Sequence, residues 1–330
     1  MATTVAIWGS GSSGMQHFAA FNSVPDAKVF VYPKRSDRIP ELQRQGVSTL
    51  ENLDFLKKEH FTHAVIASDT KNHIADTYDA LRNDLDVLVE KPFGVDSSSV
   101  LPAIERAQSL GRRLYLACCL RFSESLNVFK SWLPEVGPLH SIRIECQSYL
   151  PDWRPQRDYR ESYSARKEEG GVLRDLIHEI DYAGWLFGWP TALQATLSSS
   201  NTLGIQAEEA ADLFWKTKDG VPLSMRLDYV TRPPRRIMKA FGRNGTLTWD
   251  GIQGTVVFKA AGEGTKTHQS LQNKEALWSA QALAFVQSTQ GKLDSRLATA
   301  TEGAQALAVC DAARIASTEG RWVPVQKVAS

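Results

Sequence analysis

Two groups of residues in this 330-residue chain have types and spacings that could do chemistry. The first is Glu90-Lys91-Pro92, which follows the apolar run Val87-Leu88-Val89. Doubly wound sheets bind their ligands at the carboxyl ends of the strands, so a lysine there can aim its ammonium at a bound substrate or cofactor. Pro92 fixes its own φ and biases Lys91 toward extended backbone, which would hold the side chain in one direction. A surface lysine in a turn before a helix is the alternative for the tripeptide alone. The second group is Asp175, His178 and Asp181, in a run that starts at Gly170-Gly171 and continues through Tyr182 to Trp185. Read as one helix, spacings of three and four put Asp175, His178, Tyr182 and Trp185 on a shared face, with Asp181 one turn after His178. Carboxylates beside an imidazole hold it in one tautomer and move its pKa, as a general acid or base requires. A histidine satisfied within an apolar core is the competing reading.

The elements that would position these groups begin at the start of the chain. Val5-Ala6-Ile7-Trp8 reads as a short buried strand and runs into Gly9-Ser10-Gly11-Ser12-Ser13-Gly14, a G-x-G-x-x-G turn with a helix pattern behind it. The first glycine permits the tight turn, the second lets backbone approach a pyrophosphate, and the third allows close helix-strand packing while the helix N-terminus faces the phosphates. Gly9, Gly11, Ser12, Ser13 and Gly14 are therefore expected to cradle a dinucleotide. The second strand, Ala27 to Tyr32, should end at the adenosine ribose, where an acidic residue would mark NAD. Here Pro33-Lys34-Arg35-Ser36 follows, and two cations with a hydroxyl suit a 2′-phosphate. NADP(H) is the expected cofactor, with NAD as the alternative because Asp37 could serve a ribose. A third strand, His63 to Ala67, leads to Ser68 and His73, which would flank the dinucleotide unless His73 is a plain helix-start residue.

The alternation of strands and helices stops at Leu120-Arg121-Phe122. Residues 1–121 are expected to form an α/β Rossmann domain with a doubly wound parallel sheet, and residues 122–330 an α+β domain built on an open, predominantly antiparallel sheet. Strand patterns recur near 141–149, 192–198, 211–217, 221–229, 237–242, 245–249 and 255–259, and helices near 274–289 and 300–316. One face of such a sheet needs a cover, so a homodimer or homotetramer through it is expected. Beside the first of these strands, Tyr149, Trp153, Arg154, Arg157, Tyr159 and Tyr163 interleave aromatics with arginines. That pattern suits a polar ligand carrying a carboxylate, phosphate or sulfonate. A solvated loop neutralised by Asp152, Asp158 and Glu161 is the equal alternative.

Composition limits the rest. Hydrophobic residues at 42% and charged residues at 23% are those of an ordinary globular protein, and a net charge of +1 gives no global footprint for nucleic acid or membrane. No run of about 18 apolar residues exists to span a bilayer. The strand pattern begins at once, without a basic region or cleavage site, so a cytoplasmic protein is expected. Cys118, Cys119, Cys146 and Cys310 lack C-x-x-C spacing and read as buried thiols, with no metal site.

Taken together, the Gly9 to Gly14 fingerprint, Asn72-His73, Glu90-Lys91-Pro92, Arg121-Phe122 and the Gly170 to Asp181 run resemble the glucose-fructose oxidoreductase, inositol dehydrogenase and MocA family over nearly the whole chain. The resemblance implies an NAD(P)-dependent oxidoreductase acting on a sugar or polyol. It implies that Lys91 orients the reacting hydroxyl and the nicotinamide, that His178 accepts or donates the proton, and that Asp175 or Asp181 supports His178. Glu90 and Arg121 would then border the cofactor, and Arg121 the substrate as well. One spacing departs from the family: many members place the aspartate and histidine four apart, whereas Asp175 and His178 are three apart. The segment from Asp152 to Lys167 is similar to a subgroup acting on acidic or modified sugars, so an anionic carbohydrate is the expected substrate. A cofactor-retaining glycosidase and a ligand-sensing regulator are the other readings of the same fold, and the presence of both Lys91 and His178 argues against the regulator.

Overall fold

The computed structural model describes residues 3–58 and 60–328. Its contacts divide the chain into two units, one running to Phe122 and including Asn273–Ala304, the other Ser123–Gln272 with the residues from Gln305 onward. The segment 273–304, expected with the second domain, groups with the first unit. The reason lies in its apolar residues, which complete the first unit's core.

In the first unit, β1 (Thr3–Trp8) is buried at every position, as a strand covered on both faces must be. It pairs in parallel with β2 (Ala27–Tyr32) on one side and β3 (His63–Ile66) on the other. Next to β3 lie β4 (Asp86–Val89) and β5 (Leu114–Leu116), also parallel, and β14 (Ala298–Thr299) adds an antiparallel edge. The order β14-β5-β4-β3-β1-β2 is a doubly wound sheet. The helices α1 (Ser12–Asn22), α2 (Ile39–Arg44), α3 (Phe55–Lys58), α4 (His73–Arg82) and α5 (Ser97–Ser109) make the crossovers. The first turn of α5 is fixed by Asp96, whose carboxylate accepts from the Ser99 N–H at 2.8 Å. A later helix, α9 (Lys274–Thr289), returns to lie against α1, and its fully buried Phe285 meets Phe21, His63 and Tyr115 edge-on.

The second unit opens with α6 (Glu124–Trp132), which the Ser123 side chain caps, and then β6 (Leu139–Tyr149). The alternation of β6 survives in three dimensions, with Ile142, Ile144 and Cys146 buried while Arg143 and Glu145 face outward. After α7 (Val172–Asp175) and α8 (Ile177–Phe187) come β7 (Ala192–Ser198), β8 (Ala210–Lys216), β9 (Pro222–Asp228), β10 (Val230–Gly242), β11 (Gly245–Asp250), β12 (Thr255–Ala260) and β13 (Thr265–Gln269). With β15 (Val323–Pro324), which follows α10 (Ala300–Glu319), they form a sheet ordered β13-β12-β11-β10-β6-β9-β8-β7-β15. Each pairing is antiparallel except β6 with β9. Two of the longer strands depart from the sequence patterns. β10 begins at Val230 and not near Ile237, because a register shift between Val230 and Arg235 lets the strand absorb Pro233 and Pro234. β13 had no apolar alternation to announce it, being the polar edge Thr-Lys-Thr-His-Gln. Among the described residues no helix is long and apolar enough to cross a membrane.

His63 gives this fold a pH dependence. Its ring is buried, with Nδ1 at 2.7 Å from Thr62 Oγ1 and Nε2 at 2.9 Å from Thr289 Oγ1. Burial pushes its pKa down from 6.5 to about 4. The unfolded chain therefore binds the extra proton first, so the contribution of the neutral ring is complete above pH 6.5 and drains away as pH falls toward 4. Urea unfolding followed across that interval should lose about 3 kcal/mol to this one group. In His63→Asn that part of the slope should vanish.

Candidate active site

The glycine loop after β1 is fixed by two backbone contacts. Gly9 (φ +107°) donates its N–H to the carbonyl of Tyr32 at 2.9 Å, and a Cβ at Gly9 would lie 2.4 Å from the carbonyl oxygen of Ala67. A Cβ on Gly14 would sit 2.1 Å from the Gly9 oxygen, so the first and third glycines are required by close approach. Gly11 differs: a Cβ there would meet nothing within 4 Å, and the space opens at the exposed N-terminus of α1, where Ser12 begins the helix. Backbone N–H groups and the helix dipole make that terminus a fit for a pyrophosphate, with no acidic residue in the first turn to oppose it.

Lys34 lies beyond the end of β2, and its ammonium is paired with the buried carboxylate of Asp76 on α4. The other oxygen of Asp76 accepts from Ser68 Oγ at 2.6 Å. Arg35 is 73% exposed with its guanidinium 4.0 Å from Asp37. His73 is buried at the start of α4, its ring nitrogens each 2.9 Å from a backbone carbonyl, those of Pro92 and Ser68. Burial holds its pKa below the ordinary value in spite of both carbonyls. The ring therefore braces the loop after β3 against the Lys91-Pro92 turn.

That turn is held from a second side. Glu90 is buried, with Oε1 at 2.8 Å from His17 Nε2 on α1 and Oε2 accepting from the Lys91 N–H at 3.1 Å. Burial alone would raise the Glu90 pKa. The hydrogen bond and charge of His17, with Lys91 and His73 nearby, outweigh it and keep the carboxyl below its usual value. Both oxygens of Glu90 are thus spent on shaping the turn that carries the half-buried Lys91. Arg121 is fully buried, its Nη1 donating to Glu302 Oε1 at 3.0 Å.

In the second unit the shared helical face needs correction. Leu176 leaves helical geometry (φ −95°, ψ 29°), so Asp175 closes α7 while His178 stands in the first turn of α8. Asp175 is buried and its Oδ2 accepts from the Tyr229 hydroxyl at 2.6 Å. Burial, then the charge of Asp175, push the Tyr229 pKa well above its ordinary value, so the phenol stays a donor. Asp181 is buried and His178 half-buried on α8. The helix is anchored through Glu179, fully buried and accepting from Arg236 Nε at 2.8 Å, and through Tyr182, which meets Trp249 edge-on.

The aromatic and arginine segment divides. Trp153 stacks edge-on against Tyr229 with ring centroids 5.5 Å apart, and Tyr149 lies beneath the Arg232 guanidinium at 3.7 Å. Arg232 in turn grips Asp152 with two hydrogen bonds. Tyr159 donates its hydroxyl to the Leu203 carbonyl, and Tyr163 is half-buried. Arg154 and Arg157 are exposed. Sequence reasoning missed His17, Asp76, Tyr229 and Arg236. Each acts on a partner far away in the chain, and no local spacing marks it.

Comparison with known proteins agrees with this architecture. Residues 3–117 match a family model described as oxidoreductase family, NAD-binding Rossmann fold, and residues 134–248 match the GFO/IDH/MocA C-terminal domain. Inositol 2-dehydrogenase of Rubrobacter xylanophilus is 24% identical over 187 residues, covering 55% of this chain and 51% of that protein, so the match spans about half the length of the relative. Among solved structures, levoglucosan dehydrogenase in complex with NADH and levoglucosan superposes with a TM-score of 0.88 at 16% identity, covering 99% of this chain and 100% of that one. An oxidoreductase from Agrobacterium radiobacter in complex with NAD+, L-tartaric acid and magnesium gives a TM-score of 0.86 at 17% identity, with 98% and 99% covered. UDP-N-acetylglucosamine 3-dehydrogenase of Acidithiobacillus ferrooxidans gives 0.79 at 18%, with 96% and 98% covered. At these identities the superpositions establish the fold.

The Tyr229 hydrogen bond yields a test. Tyr229→Phe should lower unfolding stability by about 1–3 kcal/mol, because it leaves a buried carboxylate oxygen without its donor. Combined with Asp175→Asn, the loss should be smaller than the sum of the single losses; simple additivity would mean that the two side chains are not coupled.

Proposed function

This chain belongs to the GFO/IDH/MocA oxidoreductase family, and from that membership we propose that it interconverts a hydroxyl and a carbonyl on a small sugar or polyol with a nicotinamide dinucleotide. The observation that carries the reading lies within one sheet: Lys91 follows the carboxyl end of β4, two strands from the β1 end that carries the glycine loop. The dinucleotide, when bound, supplies the hydride acceptor or donor. Gly9, Gly11, Ser12, Ser13 and Gly14 hold its pyrophosphate, and Ser68 borders it. His73, Glu90 and Arg121 act behind it through the buried contacts described above. Lys91 stabilises negative charge developing on the substrate oxygen, and His178 takes the hydroxyl proton in oxidation or returns it in reduction. Asp175, oriented by Tyr229, and Asp181 on α8 support His178.

Two finer assignments go with this. NADP(H) is favoured over NAD because Lys34 and Arg35 follow β2, and the exposed Arg35 is the more available of the two cations. The substrate is anionic, since Arg154 and Arg157 have no carboxylate partner among the described residues, and Tyr149, Trp153, Tyr159 and Tyr163 give the same segment faces for a sugar ring. The protein works in the cytoplasm, where four buried cysteines with no disulfide are at home. A homo-oligomer would cover the outward face of the large sheet.

Separate fluorescence titrations with NADPH and NADH should give tighter binding of NADPH, and the reverse order would overturn the NADP(H) assignment. Lys91→Ala should keep dinucleotide binding within a few-fold and lower kcat by about 10²–10⁴ toward sugar acids or phosphorylated sugars. Full activity in that variant would refute the role of Lys91.

A further inference from the structure

We propose that Asp76 sets the coenzyme preference of this protein by competing with a ribose 2′-phosphate for the ammonium of Lys34. The inference rests on the dinucleotide reading above and adds to it a residue that acts against the phosphate. The geometry is contained in the first unit. Gly9 touches the end of β2 through the Tyr32 carbonyl and the end of β3 through Ala67 and Ser68. Asp76 bridges the same two strand ends from α4, holding Lys34, two residues past Tyr32, with one oxygen and Ser68 with the other. The carboxylate therefore ties the segment after β2 to the segment after β3, beside the place of the adenosine ribose in this fold.

Asp76 is 2% exposed with Lys34 in place. A buried carboxylate deprived of its cation carries a large desolvation penalty, and Ser68 offers a single neutral donor in compensation. A 2′-phosphate must then draw Lys34 away against that penalty or share it with a carboxylate of like charge. Both routes weaken NADP(H) binding, whereas the ribose hydroxyl of NAD(H) asks for neither. The Lys-Arg pair that sequence reading assigns to the phosphate thus acts mainly through Arg35, and Asp37 beside Arg35 adds a second negative charge. The preference is set by a balance between basic and acidic groups.

The test is the ratio of NADPH to NADH affinity in three full-length proteins: wild type, Asp76→Asn and the Asp76→Asn/Lys34→Gln double variant. Asparagine keeps the shape and can still meet Ser68, so Asp76→Asn should shift the ratio toward NADPH by about tenfold. Lys34→Gln in the Asp76→Asn background should abolish the gain. An unchanged ratio in Asp76→Asn, or a gain that survives in the double variant, overturns the proposal. A wild type that prefers NADH refutes the NADP(H) assignment without touching the inference, while a wild type that binds neither dinucleotide removes the ground for both.

Discussion

The absence of room for a side chain at Gly9 is the constraint from which the first unit follows. Because this one backbone segment touches the ends of both β2 and β3, the turn after β1 has a single path, and that path fixes where α1 starts. The position of α1 then places His17 opposite Glu90, and Glu90 ties down the backbone N–H of Lys91. The glycine loop and Lys91 are therefore parts of one arrangement, connected through the buried His17. The edge of Trp278 or of the His17 ring, with centroids 4.6 Å apart, closes the connection from the α9 side.

The second unit solves a similar problem with charge in place of close backbone contact. A short helix, a break at Leu176 and a second helix would be free to rotate if apolar packing alone held them. Glu179 paired with Arg236 and Asp175 bonded to Tyr229 add directional contacts that limit that freedom. The same burial pushes the Cys146 thiol beside this pair up to about 12, so it stays neutral. Stability is not the evident purpose of such buried ions, which apolar residues could match. What they fix is the orientation of α7 and α8.

Sequence made legible whatever depends on neighbours in the chain. The glycine spacing, the period-two pattern of β6 and the buried run of β1 each specify their own element, and the two-part organisation follows from where βα alternation stops. Distant pairs were illegible in principle: nothing near His17 announces Glu90, and nothing near Lys34 announces Asp76. Lys34 marks the limit of a local reading, since nothing around it in the chain shows that its ammonium pairs with Asp76. The single-helix reading of Asp175 and His178 failed for a related reason, as the run from Val172 to Phe187 carries no glycine or proline at the point where Leu176 interrupts it. Conversely Pro233 and Pro234 hid the first half of β10, because a bulge admitted residues that strand rules exclude.

The return of α9 to the first unit has a consequence for how the molecule is made. Phe285 fills the space among Phe21, His63 and Tyr115, and β14 supplies the edge partner of β5. On the ribosome these residues emerge only after the whole stretch from Ser123 to Gln272 has been synthesised. The amino-terminal sheet must wait with one apolar face bare while the large antiparallel sheet is translated, so the order of synthesis and the order of completion are reversed. For that interval the nascent chain exposes the kind of surface that chaperones bind.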